Sequence, residues 1–124
     1  MPQTHVLFYC ESDGSIPVLD WLDELHHEDR RAYNKCLEVI HRLAQLGHEL
    51  RRPTADLLEN GVYELRARVG HVNYRVLYFF HGRNIAVLAH GLTKEREIAK
   101  SDLATAIARK RLFEANPGRH THEE

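Results

Sequence analysis

Residues 62–94 read VYELRARVGHVNYRVLYFFHGRNIAVLAHGLTK, three β-strands in succession with two tight turns between them. Along 62–69 the side chains alternate. Tyr63, Leu65, Ala67 and Val69 fall on one side and Glu64, Arg66 and Arg68 on the other, the period of two expected of a half-buried strand. Gly70-His71 comes next with glycine first, as a type II′ hairpin turn requires. Residues 72–80 are rich in Val, Tyr and Phe, 81–84 form the next turn, and 85–92 are the third strand.

Those turns predict a register. With Gly70-His71 as the first turn, Val69 faces Val72 and Arg66 faces Arg75. With Gly82-Arg83 centring the second, Phe80 faces Ile85 and Arg75 faces His90, so one row reads Arg66, Arg75, His90. A bulge in either hairpin would break this row. Like charges directly opposed on a sheet are destabilising, so two adjacent arginines beside a histidine point to an anion. The other face, with Tyr63, Leu65, Ala67, Tyr74, Val76, Val87 and Ala89, is apolar enough to pack on helices.

A chain of 124 residues suits one domain with one core, here expected over residues 1–118 with a frayed tail at 119–124. Residues 5–10 predict a short apolar strand. A first helix comes after it, capped by Ser15 with Pro17 in its first turn, and His26-His27 mark a break or bend. A longer helix over 28–46 has the stripe Ala32, Cys36, Val39, Ile40 and Leu43, with Gly47 as its C-cap. Residues 48–61 predict an irregular segment carrying Arg51 and Arg52, closed by Asn60-Gly61. A basic connector at 93–100 leads to a last helix capped by Ser101. The expected fold class is α+β: an antiparallel sheet of about four strands, two N-terminal helices on one face, and a C-terminal helix.

The net charge of −1 conceals a segregation. Residues 1–30 hold seven Asp and Glu against Arg30 alone, whereas residues 61–100 hold seven Lys and Arg against three Glu. The sheet is therefore the basic part, fit for a phosphate-bearing partner. Cys10 and Cys36 have neither metal nor disulfide-framework spacing and read as reduced thiols of a cytoplasmic protein. No apolar run approaches membrane-spanning length, and none of the ten histidines sits in credible zinc spacing, so no metal or other cofactor is expected. The candidate catalytic residues are Arg66, Arg75 and His90, with Arg68, Lys94, Arg51 and Arg52 as RNA-binding candidates. Guanidinium groups neutralise charge that builds during phosphoryl transfer, and imidazole passes protons near neutral pH. Together they suit metal-free RNA cleavage by 2′-OH attack on the adjacent phosphate.

The strings YELR (63–66), YRVLYFF (74–80) and VLAHGLTKE (87–95), with a helix ending in ARKR after them, resemble the RelE/ParE toxin superfamily, and within it the phage-derived HigB-type branch. The resemblance covers residues 5–115. It implies a RelE-like toxin of a type II toxin–antitoxin system that cleaves mRNA on the ribosome. It also implies a helix-turn-helix, HigA-like antitoxin, through which the pair would bind operator DNA. The family's arginines fall on Arg66 and Arg75, and its His-Gly-Phe string on His90, Gly91 and Leu92, with Leu in place of Phe. A ParE-like toxin that inhibits DNA gyrase without catalysis is the alternative, and a degenerate, binding-only member is a third reading.

Overall fold

The computed structural model describes residues 3–94 and 97–123. Its core is a six-stranded mixed sheet whose strands lie in the order Ala55–Leu57, Val62–Val69, Val72–His81, Ile85–Lys94, His5–Tyr9 and Thr121–His122. β3 (Val62–Val69), β4 (Val72–His81) and β5 (Ile85–Lys94) form the expected meander. β1 (His5–Tyr9) joins it parallel to β5, so the sheet is not purely antiparallel. Two short strands raise the count from four to six. β2 (Ala55–Leu57) lies in the segment read as irregular and returns into β3 through Asn60 (φ 54°) and Gly61 (φ 76°). β6 (Thr121–His122) lies in the expected tail. That tail is tied to β1: Thr121 pairs with Tyr9, and buried His120 stacks on the Tyr9 ring at 5.2 Å while its Nδ1 donates to the Cys10 carbonyl at 2.8 Å.

α1 (Pro17–Glu28) and α2 (Arg30–Leu46) share one face of the sheet. Val18, Leu22 and Leu25 of α1 and Ala32, Cys36, Val39 and Leu43 of α2 bury against Leu65, Ala67, Tyr74, Val76 and Tyr78. The break between the helices is at Asp29, not at His26-His27. Its backbone is extended, and its carboxylate accepts from Ala32 N–H at 3.2 Å, capping α2. Ser15 is not a cap; its hydroxyl donates to Asp13 at 2.7 Å. Gly47 closes α2 as expected, with φ 53°. Burial pushes the Cys36 thiol up to about 12. The third helix, α3 (Lys100–Ala115), begins one residue before Ser101. It covers the opposite face, with Ala106 and Phe113 packing on Val62, Leu77, Phe79 and Val87. The layers are thus helix pair, sheet, single helix. No described helix is long and apolar enough to cross a membrane.

The first hairpin has the predicted register: Val69 opposes Val72, Arg66 opposes Arg75, and Gly70 takes the positive φ of 61° that its turn needs. The second hairpin differs twice. Its loop holds three residues, Gly82-Arg83-Asn84, so Ile85 pairs with His81, and a bulge at Ala89 adds a further residue on β5. Each one-residue slip reverses the faces of the residues beyond it. Val87 and Ala89 consequently pack on the α3 side, not with Tyr63 and Leu65. From His90 onward the expected face returns, displaced by two residues: Arg75 opposes Leu92, and His90 opposes Leu77. The predicted row Arg66–Arg75–His90 is therefore Arg66–Arg75–Leu92.

Gly91 opposes Val76 beneath α1. A Cβ there would lie 2.4 Å from the Trp21 ring, so the glycine lets the indole rest directly on β5.

Candidate active site

Alternation places Glu64, Arg66 and Arg68 of β3, Asn73 and Arg75 of β4, and His90 of β5 on the face that α3 partly covers. α3 and its apolar contacts occupy the Val62–Phe79–Val87 end. The charged residues occupy the other.

The opposed arginines do not stand bare. The carboxylate of buried Glu64 lies between them: Oε1 accepts from Arg66 Nε, and Oε2 stands 3.3 Å from Arg75 Nε. Arg66 Nη2 is 3.6 Å from Asp56 Oδ2, and Asp56 Oδ1 is 3.1 Å from Arg52 Nε. The result is a ladder of alternating charge, Arg52–Asp56–Arg66–Glu64–Arg75, three cations against two anions. Asp56 opposes Glu64 across β2–β3, which is how the short edge strand delivers its carboxylate. The hydrogen bond from Arg52 is the main cause holding the Asp56 carboxyl below its ordinary range, and Arg52 is raised in turn. Exposure changes along the ladder. The Arg75 side chain is 9% exposed and that of Arg66 is 31% exposed. Arg66 also donates to the Pro53 carbonyl at 3.4 Å. One edge of its guanidinium is fixed while the group still meets solvent.

His90 belongs to a second cluster. Buried Leu77 separates it from Glu64 in its row, and Arg75 is only a diagonal neighbour, a spacing of about 7–8 Å on a sheet. Arg109 Nη1 lies 3.1 Å from His90 Nδ1, and Asp102 Oδ1 lies 2.8 Å from Nε2. A guanidinium only donates, so Nδ1 accepts and Nε2–H donates to Asp102. This arrangement holds one tautomer with both ring nitrogens engaged. Arg109 Nη1 also donates to the Ala89 carbonyl at 2.8 Å, serving a backbone group at the bulge. Its guanidinium carbon stands 5.7 Å over the Tyr9 ring, and Nε is 3.9 Å from Glu11. Burial first, and then Glu11, hold the Tyr9 phenol un-ionised well above its ordinary range.

Of the other expected residues, Arg68 is exposed, with Nε donating to the Gly70 carbonyl at 3.1 Å. Arg51 and Arg52 line a cleft of 440 Å³ with His48, Leu50 and Tyr63 at the β2 edge. Lys94 pairs with Asn73 at the end of β5; its side chain lies outside the described residues, as do residues 95 and 96 of the connector. Among the described residues no cluster of three or more His, Cys, Asp or Glu is placed to hold a metal ion.

A family model of phage-derived Gp49-like proteins (DUF891) matches residues 20–112, about three quarters of the chain. The chain belongs to this Gp49-like family. The family lies within the RelE/HigB-like toxin superfamily. No curated protein matches the chain. In this Gp49-like protein the matched span covers most of α1, all of α2, the meander and most of α3, and so includes the ion ladder and the His90–Asp102–Arg109 group.

Sequence reasoning missed Glu64, Asp56, Asp102 and Arg109. Glu64 had a usable signal: it stands two residues before Arg66 on an alternating strand and so shares its face. Asp102 and Arg109 had a weaker one, their seven-residue spacing along α3, two turns of a helix.

Proposed function

We propose that this Gp49-like protein is the toxin of a type II toxin–antitoxin pair of the RelE-like, HigB-type kind, a metal-independent endoribonuclease that cuts mRNA on the ribosome. The observation that carries the reading is the state of Arg66, anchored by Glu64 and Asp56 yet partly exposed, on a face that also holds Arg75 and exposed Arg68. An anchored guanidinium needs no reorganisation when it meets a phosphate, so its charge acts fully on the transition state. Arg66 contacts the scissile phosphate, and Arg68 and Lys94 hold the strand beside it. Arg75 is a positioning residue that keeps Glu64 aligned. Glu64 is a positioning residue as well, since its carboxylate is buried and both oxygens face the two arginines. His90 is a positioning residue too, because Arg109 occupies its accepting nitrogen. The acidic outer surface of α1 carries the helix-turn-helix antitoxin, separate from the RNA-facing sheet, and the protein works in the cytoplasm.

One observation favours the gyrase-binding alternative: both ring nitrogens of His90 already have partners, Asp102 and Arg109. A reconstituted translation reaction separates the two. The nuclease reading expects cut mRNA with ribosomes present and intact mRNA without them. Intact mRNA in both reactions, together with loss of gyrase supercoiling activity, would establish the alternative.

A further inference from the structure

We propose that the groove between α2 and the open edge of β3 binds the sugar-phosphate backbone of the RNA strand and leads it to Arg66. The inference rests on the RNA-cleaving reading and assigns it a binding path. Two adjoining clefts of 230 and 360 Å³ run along this edge and share Lys35 and Arg68 in their walls. α2 contributes Arg31, Lys35 and Arg42, and β3 contributes Arg66 and Arg68. The single acid in the lining, Glu38, is paired with Lys35 at 3.3 Å.

The geometry suits an extended polyanion. Residues 31, 35 and 42 fall near one side of a helix and span about 16 Å of its length, a row of charge and not a point. β2 pairs with β3 no further than Leu65, and the Arg66 N–H donates to Thr54 at 2.7 Å. Alternate residues of a strand direct their N–H groups to the same side, so the Arg68 N–H faces the groove along the open edge. Among the described residues no aromatic side chain lines either cleft, so the groove offers no aromatic platform for bases and suits the backbone more than sequence readout. The row ends at Arg66, the anchored guanidinium of the candidate site.

The test is fluorescence anisotropy of a short labelled 2′-O-methyl RNA, which binds but cannot be cut, titrated at several salt concentrations. Each cation released from a single strand contributes about 0.7 to the slope of log K against log salt. Arg31→Ala/Lys35→Ala/Arg42→Ala is expected to weaken binding about tenfold or more and to make that slope shallower by about 2. Arg83→Ala/Lys100→Ala/Arg111→Ala removes equal charge elsewhere and is expected to do much less. Equal losses in the two variants, or wild-type affinity in the first, would overturn the groove. So would poly-glutamate displacing RNA with the same dependence on the α2 residues, which would mark a site for an acidic protein segment. If the triple-alanine chain does not fold, Lys35→Gln/Arg42→Gln gives the same readout with polar length retained. A wild-type chain that binds RNA through the groove but cuts no mRNA overturns the nuclease reading alone. One that cuts while the α2 variant keeps full affinity overturns the groove alone.

Discussion

The two faces of the sheet are built on different terms. Beneath α1 and α2 the central positions Leu65, Ala67, Val76, Ala86 and Leu88 are apolar and buried, and the face is held by packing. Beneath α3 the apolar cluster occupies one end, and the other end buries Glu64 and Arg75. Charges removed from water return little net stability even when well paired, whereas losing one partner is costly. The helix-pair face depends on how its volume is filled, whereas the charged end depends above all on Glu64, the carboxylate that Arg66 and Arg75 share.

The largest effect is expected from Glu64→Gln. It preserves shape but removes the charge between two arginines, and is expected to cost about 3–5 kcal/mol in urea denaturation. A loss below about 1 kcal/mol would show that the buried charges do not rely on one another. On the helix-pair face, Gly91→Ala introduces a methyl group against Trp21 and is expected to cost about 1–3 kcal/mol by overpacking. An unchanged melting temperature would mean that the indole shifts freely and that this face is loosely packed around Trp21.

The same face predicts an alkaline limit. Burial, chiefly, raises the Tyr78 phenol above its ordinary range, with Tyr63 adding to the shift, and Tyr74 is raised by burial and then by Asp29. Below a pH of about 10 both folded and unfolded phenols are protonated, so they add no pH dependence. Above it the unfolded chain ionises while the folded one resists, and stability falls as pH rises. Tyr78→Phe is expected to flatten the decline of melting temperature between pH 9.5 and 11, at about the ordinary phenol pKa and just above it. An identical decline in the variant would remove Tyr78 as its source.

The first hairpin was legible because alternation and a glycine-first two-residue turn admit one register, and Arg66 opposite Arg75 is its direct consequence. The second was not. Residues 81–84 accommodate a two- or three-residue loop, and the bulge at Ala89 is invisible in a strand whose neighbours on both sides are equally apolar. The pattern therefore sets His90 beside Arg75, whereas Asp102 and Arg109 of α3 hold it. The α2 stripe was legible from its period. β2 and β6 were too short to carry a period and are strands only because β3 and β1 offer edges to pair with. The ion ladder was half legible. Its arginines lie in recognisable strings and alternation puts Glu64 on their face, but that its carboxylate reaches between Arg66 and Arg75 depends on side-chain placement that no pattern carries.

The smallest effect on stability and the largest on function should come from one change. Arg66 is 31% exposed and Glu64 keeps Arg75 as a partner when Arg66 is lost, so Arg66→Ala is expected to cost about 1 kcal/mol, well short of the Glu64 change. It removes the anchored guanidinium on which the proposed cleavage depends. The deciding measurement is the mapping of mRNA 5′ ends in cells expressing wild type or Arg66→Ala at equal folded levels. New ends within translated messages are expected for the wild type, and none above background for the variant. Identical cleavage by both would contradict the proposed role of Arg66 and move the chemistry away from the Glu64–Arg66–Arg75 ladder.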